Sequence, residues 1–134
     1  MALRVRAAIF WSLAHRHAGY YLKQLTPHGR GFDRSLGYFE CCEDHWTQRS
    51  LDTCDRAVDL WDTDHPAYGL NGSSYGDFMY FGRAVETIVN HSRSMPPTVP
   101  LFFYLATQVS HQPVQAPDRF QALFDKATCP SVVE

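Results

Sequence analysis

The chain has 134 residues, of which 45% are hydrophobic and 19% are charged, and its formal net charge is −2. This composition is that of a globular domain or part of one, which excludes a disordered tail, and the sequence lacks the clustered basic residues of a nucleic-acid-binding protein. No apolar run approaches the roughly 20 residues that a membrane-spanning helix needs.

The first predicted element is the apolar run 5–14, which can form a buried helix or strand. Arg4 and Arg6 precede its centre and imitate the charged start of a signal peptide. The run ends at His15-Arg16-His17, and no small-residue cleavage site follows. We therefore interpret these residues as part of the fold.

Two stretches without strong periodicity follow. Residues 19–38 are rich in Gly, Pro and aromatic residues, which favours loops and turns. Residues 40–73 are polar and predict a long surface excursion, with a short strand at Ala57–Trp61. The cysteines Cys41, Cys42, Cys54 and Cys129 form no C-x-x-C pair, which argues against a zinc ribbon. Cys54 is close enough in sequence to Cys41 or Cys42 for a small disulfide loop.

The strongest helix signal begins at Ser74, which can cap a helix starting near Tyr75. Apolar residues then recur at helical spacing and predict one buried stripe, made of Phe78, Phe81, Val85, Ile88 and Val89. The helix should end near Asn90-His91, because residues 93–100 contain three prolines.

A short apolar run follows the prolines. Residues 101–106 predict a strand buried on both faces, as in a parallel sheet covered by helices, so we expect an α/β fold. Residues 107–117 form the polar loop after this strand, and residues 118–124 predict a further helix or turn. We expect Phe78, Phe81, Phe102 and Phe103 to lie in the core.

Two sets of side chains are candidates for chemistry. His111 lies in the loop after the predicted strand, where it can bind an anion, act as an acid, or simply hydrogen-bond to the loop backbone. His15-Arg16-His17 suits an oxyanion such as sulfate. On a strand His15 and His17 share one face, which also permits a metal site, although no third ligand stands at a recognisable spacing. A solvated polar patch is the simpler alternative.

Several motifs resemble the sulfatase family, especially its arylsulfatase B-like members. Residues 17–21, H-A-G-Y-Y, are similar to the end of the family motif G-K-W-H-x-G. Residues 26–38, T-P-H-G-R-G-F-D-R-S-L-G-Y, resemble P-T-x-R-G-F-D…G-Y and are followed by the acidic pair Glu43-Asp44. Residues 100–117, P-L-F-F-Y-L-A-T-Q-V-S-H-Q-P-V-Q-A-P, are similar to P-F-F-L-Y-L-A…H-x-P-x-x-x-P. The resemblance covers roughly residues 17–128.

The resemblance implies a mostly parallel sheet between helices, as in alkaline phosphatase, and hydrolysis of sulfate esters of sugars or aryl groups. It implies a formylglycine nucleophile, made from the Cys of C-x-P-x-R, and a calcium ion held by Asp and Asn residues. By position, His17 would lie beside the formylglycine, and His111 would contact the sulfate and help protonate the leaving group. His15 takes the place of a sulfate-contacting Lys. The family also implies a lysosomal or secreted location.

This sequence departs from the family pattern in the parts that do the chemistry. It contains no C-x-P-x-R, and Cys129-Pro130-Ser131 has the wrong spacing and no Arg. We identify no calcium ligands in it, and residues 1–14 do not match the family. We therefore expect residues 15–134 to be a partial sulfatase catalytic domain that is inactive alone. The alternatives are a degenerate, non-catalytic sulfatase that binds anions or partners, and a small zinc site at His15 and His17.

Overall fold

The computed structural model describes residues 6–11, 22–40, 42–51 and 56–124. These residues form a five-stranded sheet, one long helix, one short helix and two 3-10 turns. The strands are β1 (Arg6–Trp11), β2 (Arg34–Gly37), β3 (Trp61–Asp62), β4 (His65–Pro66) and β5 (Leu101–Ala106). The helices are α1 (Gly76–Ser94) and α2 (Asp118–Gln121), and the 3-10 turns are Lys23–Leu25 and His28–Arg30.

The strand order is β4-β3-β2-β1-β5, so β2 is the central strand and β1 lies between β2 and β5. β1 pairs in parallel with both β2 and β5, whereas β3 and β4 extend the sheet as short antiparallel strands. In register, Ala8 lies opposite Arg34 on one side and Phe103 on the other. The carboxyl ends of β1, β2 and β5 therefore lie at one edge of the sheet, which we call the carboxyl edge. The predicted α/β class and the strand at 101–106 are confirmed.

The core lies between α1 and one face of the sheet. Its buried members are Leu36, Tyr38, Leu60, Ala67 and Tyr80, and Leu70, Met79, Leu101, Phe103 and Leu105 pack against them. Tyr80 and Ala84 are one helical turn apart, so both side chains of α1 point at the sheet, where they are 1% and 4% exposed.

The predicted apolar stripe of α1 is not its buried face. Phe81, Val85 and Ile88 are 43%, 61% and 48% exposed, because the helix turns Tyr80 and Ala84 toward the sheet instead. α1 also has no side-chain cap at Tyr75 and continues to Ser94, so the expected Ser74 cap and the end near residue 91 were wrong. Pro96 and Pro97 follow at once and prevent a further turn.

β5 is an edge strand in the described part of the chain. Successive side chains of a strand point to opposite faces, so Leu101, Phe103 and Leu105 meet the core. Phe102 and Tyr104 point the other way and are 53% and 47% exposed. The expectation that this strand is buried on both faces, with Phe102 in the core, was therefore wrong.

The segment 40–73 is only in part the surface excursion that its polarity predicted, because several of its polar side chains are buried. Glu43, His45, Gln48 and Ser50 are each at most 1% exposed. The strand expected at 57–61 is displaced toward the C-terminus, because β3 begins only at Trp61. Before it, Val58 forms an isolated antiparallel bridge with Arg49. None of the helices in the described part of the chain has the length and apolar content needed to cross a membrane.

Candidate functional site

The loop that carries His111 leaves the carboxyl edge of the sheet after β5. We call residues 107–117 the His111 loop. The segment that follows β2 leaves the same edge, and its residues 43–45 contact the His111 loop at two places. The loop and this segment are 65 to 71 positions apart in the sequence, so the parallel pairing of the strands brings them together.

Gln108 anchors the first end of the His111 loop. Its backbone N–H donates to Oδ1 of Asp77 at 2.9 Å, in the first turn of α1. Its side-chain Nε2 donates to Oε2 and to the backbone carbonyl of Glu43 at 3.1 and 3.3 Å. All three residues are at most 3% exposed, so these hydrogen bonds are shielded from water.

Gly76 allows this close packing. A Cβ at position 76 would lie 2.5 Å from Oε1 of Gln108 and 3.4 Å from the carbonyl oxygen of His45. A larger residue would have to displace the Gln108 side chain, so glycine lets the first residue of α1 contact both the loop and the segment 43–45.

Gln115 anchors the second end of the His111 loop. Its Oε1 accepts from the backbone N–H of His45 at 2.8 Å, and its Nε2 donates to Oδ2 of Asp44 at 2.8 Å. The Tyr75 hydroxyl donates to the Gln115 carbonyl, also at 2.8 Å. Three hydrogen bonds thus hold this one glutamine, two through its side-chain amide and one through its backbone carbonyl, which fixes the backbone before Pro117.

His111 itself lies between the two anchored ends and is half-buried. Its Nδ1 lies 2.7 Å from the carbonyl oxygen of Gln112, so Nδ1 is the protonated donor. In the neutral ring Nε2 is then the acceptor, and protonation makes it a second donor. The prediction that His111 lies in a loop at the carboxyl end of a strand is confirmed, while its chemical role stays a prediction.

His45 lies beneath the loop and is 1% exposed. The Tyr75 hydroxyl uses its one hydrogen on Gln115, so the 3.2 Å contact with Nδ1 of His45 requires a proton on that nitrogen. Burial lowers the pKa of His45, the charges of Asp77 and Asp44 partly oppose this, and the positive charge of His111 lowers it further. His45 is therefore favoured as a neutral ring in the folded protein.

The surroundings shift the pKa values of Glu43 and Asp44 in opposite directions. Burial, together with the charge of Asp59, raises the pKa of Glu43 well above its usual value, although hydrogen bonds from Tyr80 and Gln108 act against this. Burial also raises the pKa of Asp44, but hydrogen bonds from Gln115 and Thr47 outweigh it, so that pKa is lowered overall. The surroundings thus favour the charged form of Asp44 and the protonated form of Glu43, each relative to an exposed carboxyl group.

The described residues do not fit a calcium site. Four buried atoms here have no hydrogen-bond partner: Glu43 Oε1, His45 Nε2, Asp77 Oδ2 and Gln108 Oε1. Within the described ranges, no three His, Cys, Asp or Glu side chains converge closely enough to hold a metal ion.

The remaining predicted site residues and three cysteines lie outside the described residues. His15 and His17 follow β1 in the sequence, and Cys41, Cys54 and Cys129 carry the predicted disulfide and the rejected nucleophile motif. Conversely, sequence reasoning missed the anchoring roles of Gln108 and Gln115 and of His45 and Tyr75. Uncharged amides have no sequence pattern of their own, so only their position at the two ends of the polar loop offered a signal.

Comparisons with known proteins identify a similar sequence and similar solved structures. No family model matches the sequence. Arylsulfatase J from Mus musculus is 35% identical over 107 residues, which is 78% of this chain and 17% of that protein. The solved structure of Ps i-CgsB is similar in fold, with a TM-score of 0.65, 19% identity, and coverage of 92% of this chain and 27% of that one. Its complex with k-i-k-neocarrahexaose gives a TM-score of 0.62 at 18% identity and the same coverage.

Proposed function

The chain belongs to the sulfatase family, and from that premise we propose that it is part of the catalytic domain of a sulfuric ester hydrolase of the arylsulfatase type. The chain spans only 17% of the length of its arylsulfatase relative. In this proposal it contributes one wall of the sulfate site, formed by the His111 loop and by the residues that follow β1.

The observation that carries the proposal is the parallel pairing of β1 with β5. Trp11 at the end of β1 lies opposite Ala106 at the end of β5. The chain continues from Trp11 toward His15 and His17, and from Ala106 toward His111. Ligand sites in parallel α/β sheets form at the carboxyl ends of neighbouring strands. This supports a role for all three histidines at one anion site.

His111 would serve this site in two ways. A protonated imidazole donates a hydrogen bond to a sulfate oxygen, and the same proton can pass to the oxygen of the leaving group as the ester bond breaks. We propose His17 as a second catalytic group and His15 as a substrate-binding group. His15 is a weaker sulfate ligand than the lysine of the family pattern, since its reference pKa of about 6.5 leaves it partly neutral at pH 7.

The nucleophile and the calcium ion of the family reaction would have to come from other residues. Calcium, when bound, stabilises negative charge on the reacting group. Neither a C-x-P-x-R motif nor a converging set of acidic ligands is found in the described residues and their sequence. The residues on hand therefore bind and orient the sulfate, and supply a proton, rather than attack the sulfur.

The substrate class that we propose is a sulfated glycan or an aryl sulfate. The arylsulfatase relative favours a sulfate ester, and the complex of Ps i-CgsB with k-i-k-neocarrahexaose favours a carbohydrate carrier. The same relative favours a lysosomal or secreted location. We propose no nucleic-acid partner, since the net charge is −2 and the basic residues are not clustered.

The test is a titration of the purified chain with sodium sulfate, followed by NMR of the histidine rings. Sulfate should saturably shift the His111 ring signals and the backbone amide signals of the His111 loop, and His111→Gln should remove the amide response. His65→Gln is a matched control, because His65 is exposed and lies on the distant strand β4. A sulfate response that is equal in His111→Gln and the wild type would overturn the assignment. We also expect no hydrolysis of an aryl sulfate by the chain alone, and calcium-dependent turnover would contradict this.

A second candidate function is a non-catalytic sulfatase relative that binds anions or partner proteins. It is favoured by the absence of the C-x-P-x-R motif from this sequence. It predicts that the isolated chain unfolds cooperatively and keeps its sulfate response. The exposed apolar residues of α1 and β5 favour the first proposal, since a self-sufficient module would cover them.

A further inference from the structure

The acidic segment below the His111 loop has a role that sulfate chemistry alone does not assign to it. We propose that residues 43–45, which we call the clamp, hold both ends of the His111 loop through Gln108 and Gln115, and so orient His111. Gln108, Gln115 and Asp44 are then positioning residues. The inference rests on the proposed function for what His111 binds, but the clamp can be tested without any ligand.

Each end of the loop uses a different part of the clamp. The side-chain Nε2 of Gln108 donates to the carboxyl group and to the backbone carbonyl of Glu43. The backbone N–H of Gln108 donates to Asp77. Gln115 bonds to the carboxylate of Asp44 and to the backbone N–H of His45. Since three consecutive residues bind both ends, the distance between the ends is set by the clamp and not by the loop.

Asp44 is itself held rigidly, which makes it a suitable anchor. Its Oδ1 accepts from the backbone N–H groups of Trp46 and Thr47 at 3.1 and 2.8 Å and from the Thr47 hydroxyl at 2.9 Å. These bonds fix the carboxylate plane and direct Oδ2 at Gln115. The lowered pKa of Asp44 keeps this acceptor charged at neutral pH.

The ordering of the loop matters because the six residues 109–114, which include His111, lie between the anchors Gln108 and Gln115. A free segment of this length samples many backbone states, and fixing each residue costs conformational entropy. The hydrogen bonds at Gln108 and Gln115 restrict the loop before an anion binds, so less conformational entropy is lost on binding. An imidazole already facing the site binds a sulfate better than one that must first be ordered.

The test reverses the polarity of one clamp bond. Gln115→Glu replaces the donor that faces Asp44 with a carboxylate, which breaks this contact and adds repulsion. The double variant Asp44→Asn with Gln115→Glu restores it with donor and acceptor exchanged, and the pair then carries the same net charge as in the wild type. Gln24→Glu is the control for charge alone, since Gln24 is exposed and lies in a 3-10 turn away from the loop.

Hydrogen exchange of the Gln108 amide and 15N relaxation of residues 109–114 report on the loop. In Gln115→Glu we expect the Gln108 amide to exchange about tenfold faster and the loop amides to become more mobile, with α1 amides unchanged. The double variant should return both readouts toward the wild type, and Gln24→Glu should change neither. An unchanged loop in Gln115→Glu, or a double variant no better than the single one, would overturn the clamp.

A sulfate titration of the same variants separates the two proposals. The response of the His111 ring to sodium sulfate should weaken in Gln115→Glu and recover in the double variant. If the loop readouts follow the expected order but the wild-type ring does not respond to sulfate, the proposed function fails and the clamp stands. If the ring responds equally in all variants, His111 does not depend on the clamp and this inference fails.

Discussion

The hydroxyl of Tyr75 donates to the backbone carbonyl of Gln115 at 2.8 Å, across 40 positions of sequence. Tyr75 is the residue before the first turn of α1, and Gln115 is the far anchor of the His111 loop. This bond therefore links the start of the helix directly to the backbone of the candidate site. Tyr75 is only 3% exposed, so the bond is shielded from water.

Tyr75→Phe should destabilise the protein by about 1–3 kcal/mol, because it leaves the Gln115 carbonyl and the His45 ring without their partner. The measurement is the free energy of unfolding from urea titration. Tyr68→Phe is the control, since Tyr68 is 87% exposed, and it should change stability by less than about 0.5 kcal/mol. Equal stabilities of the two variants would contradict the role given to the Tyr75 hydroxyl.

Two glycines of α1 should respond in opposite directions to alanine. Gly76→Ala adds a methyl group 2.5 Å from Oε1 of Gln108 and should cost about 1–3 kcal/mol through overpacking. Gly82→Ala meets no atom within 4 Å and should stabilise the helix by up to about 1 kcal/mol. Thermal unfolding of both variants checks the difference, and a stabilised Gly76→Ala would show that the loop does not pack on α1 as described.

Glu43 should make the protein less stable as pH rises above its ordinary pKa. Its folded-state pKa is raised above 4.5 by burial first and then by Asp59, so the folded protein holds the proton more tightly than the unfolded chain. The stability from the protonated carboxyl is complete below pH 4.5 and is lost as pH rises through the folded pKa. Glu43→Gln keeps an uncharged group there and should gain stability relative to the wild type across that range.

The comparison with Glu43→Gln is needed because His45 acts in the opposite direction. Its lowered pKa means that stability is complete above about pH 6.5, the unfolded value, and falls as pH drops below it. The total stability of the wild type therefore mixes both effects. Urea unfolding of the two proteins at several pH values isolates Glu43, and a difference between them that does not grow with pH would refute the raised pKa.

Adjacent phenylalanines on β5 provide a matched pair. Phe103→Ala should cost about 3 kcal/mol, because Phe103 packs against the core under α1. Phe102→Ala should cost about 1 kcal/mol or less, since that ring is 53% exposed and its ring contact with Phe32 has a centroid distance of 5.9 Å. Urea unfolding measures both, and similar losses would mean that the far face of the sheet is already covered.

The elements that the sequence by itself determined are those specified by local patterns. The apolar run at 101–106 after three prolines predicts β5 and the loop that carries His111, and helical spacing predicts α1. The motifs around His111 also indicated the sulfatase family, in agreement with the arylsulfatase relative. These features need no knowledge of distant residues, since hydrophobic periodicity and backbone-breaking prolines act over a few positions.

Only the tertiary structure decided which surfaces are buried and which polar groups meet. α1 carries apolar residues on more than one side, so packing against the sheet, and not periodicity, selected Tyr80 and Ala84 as its inner face. The sequence 40–73 is polar yet partly buried, because its polar groups find partners in the His111 loop 65 or more positions away. Such pairings are specific in space and leave no local signature, since a glutamine or a tyrosine hydroxyl is equally suited to water until the fold supplies its partner.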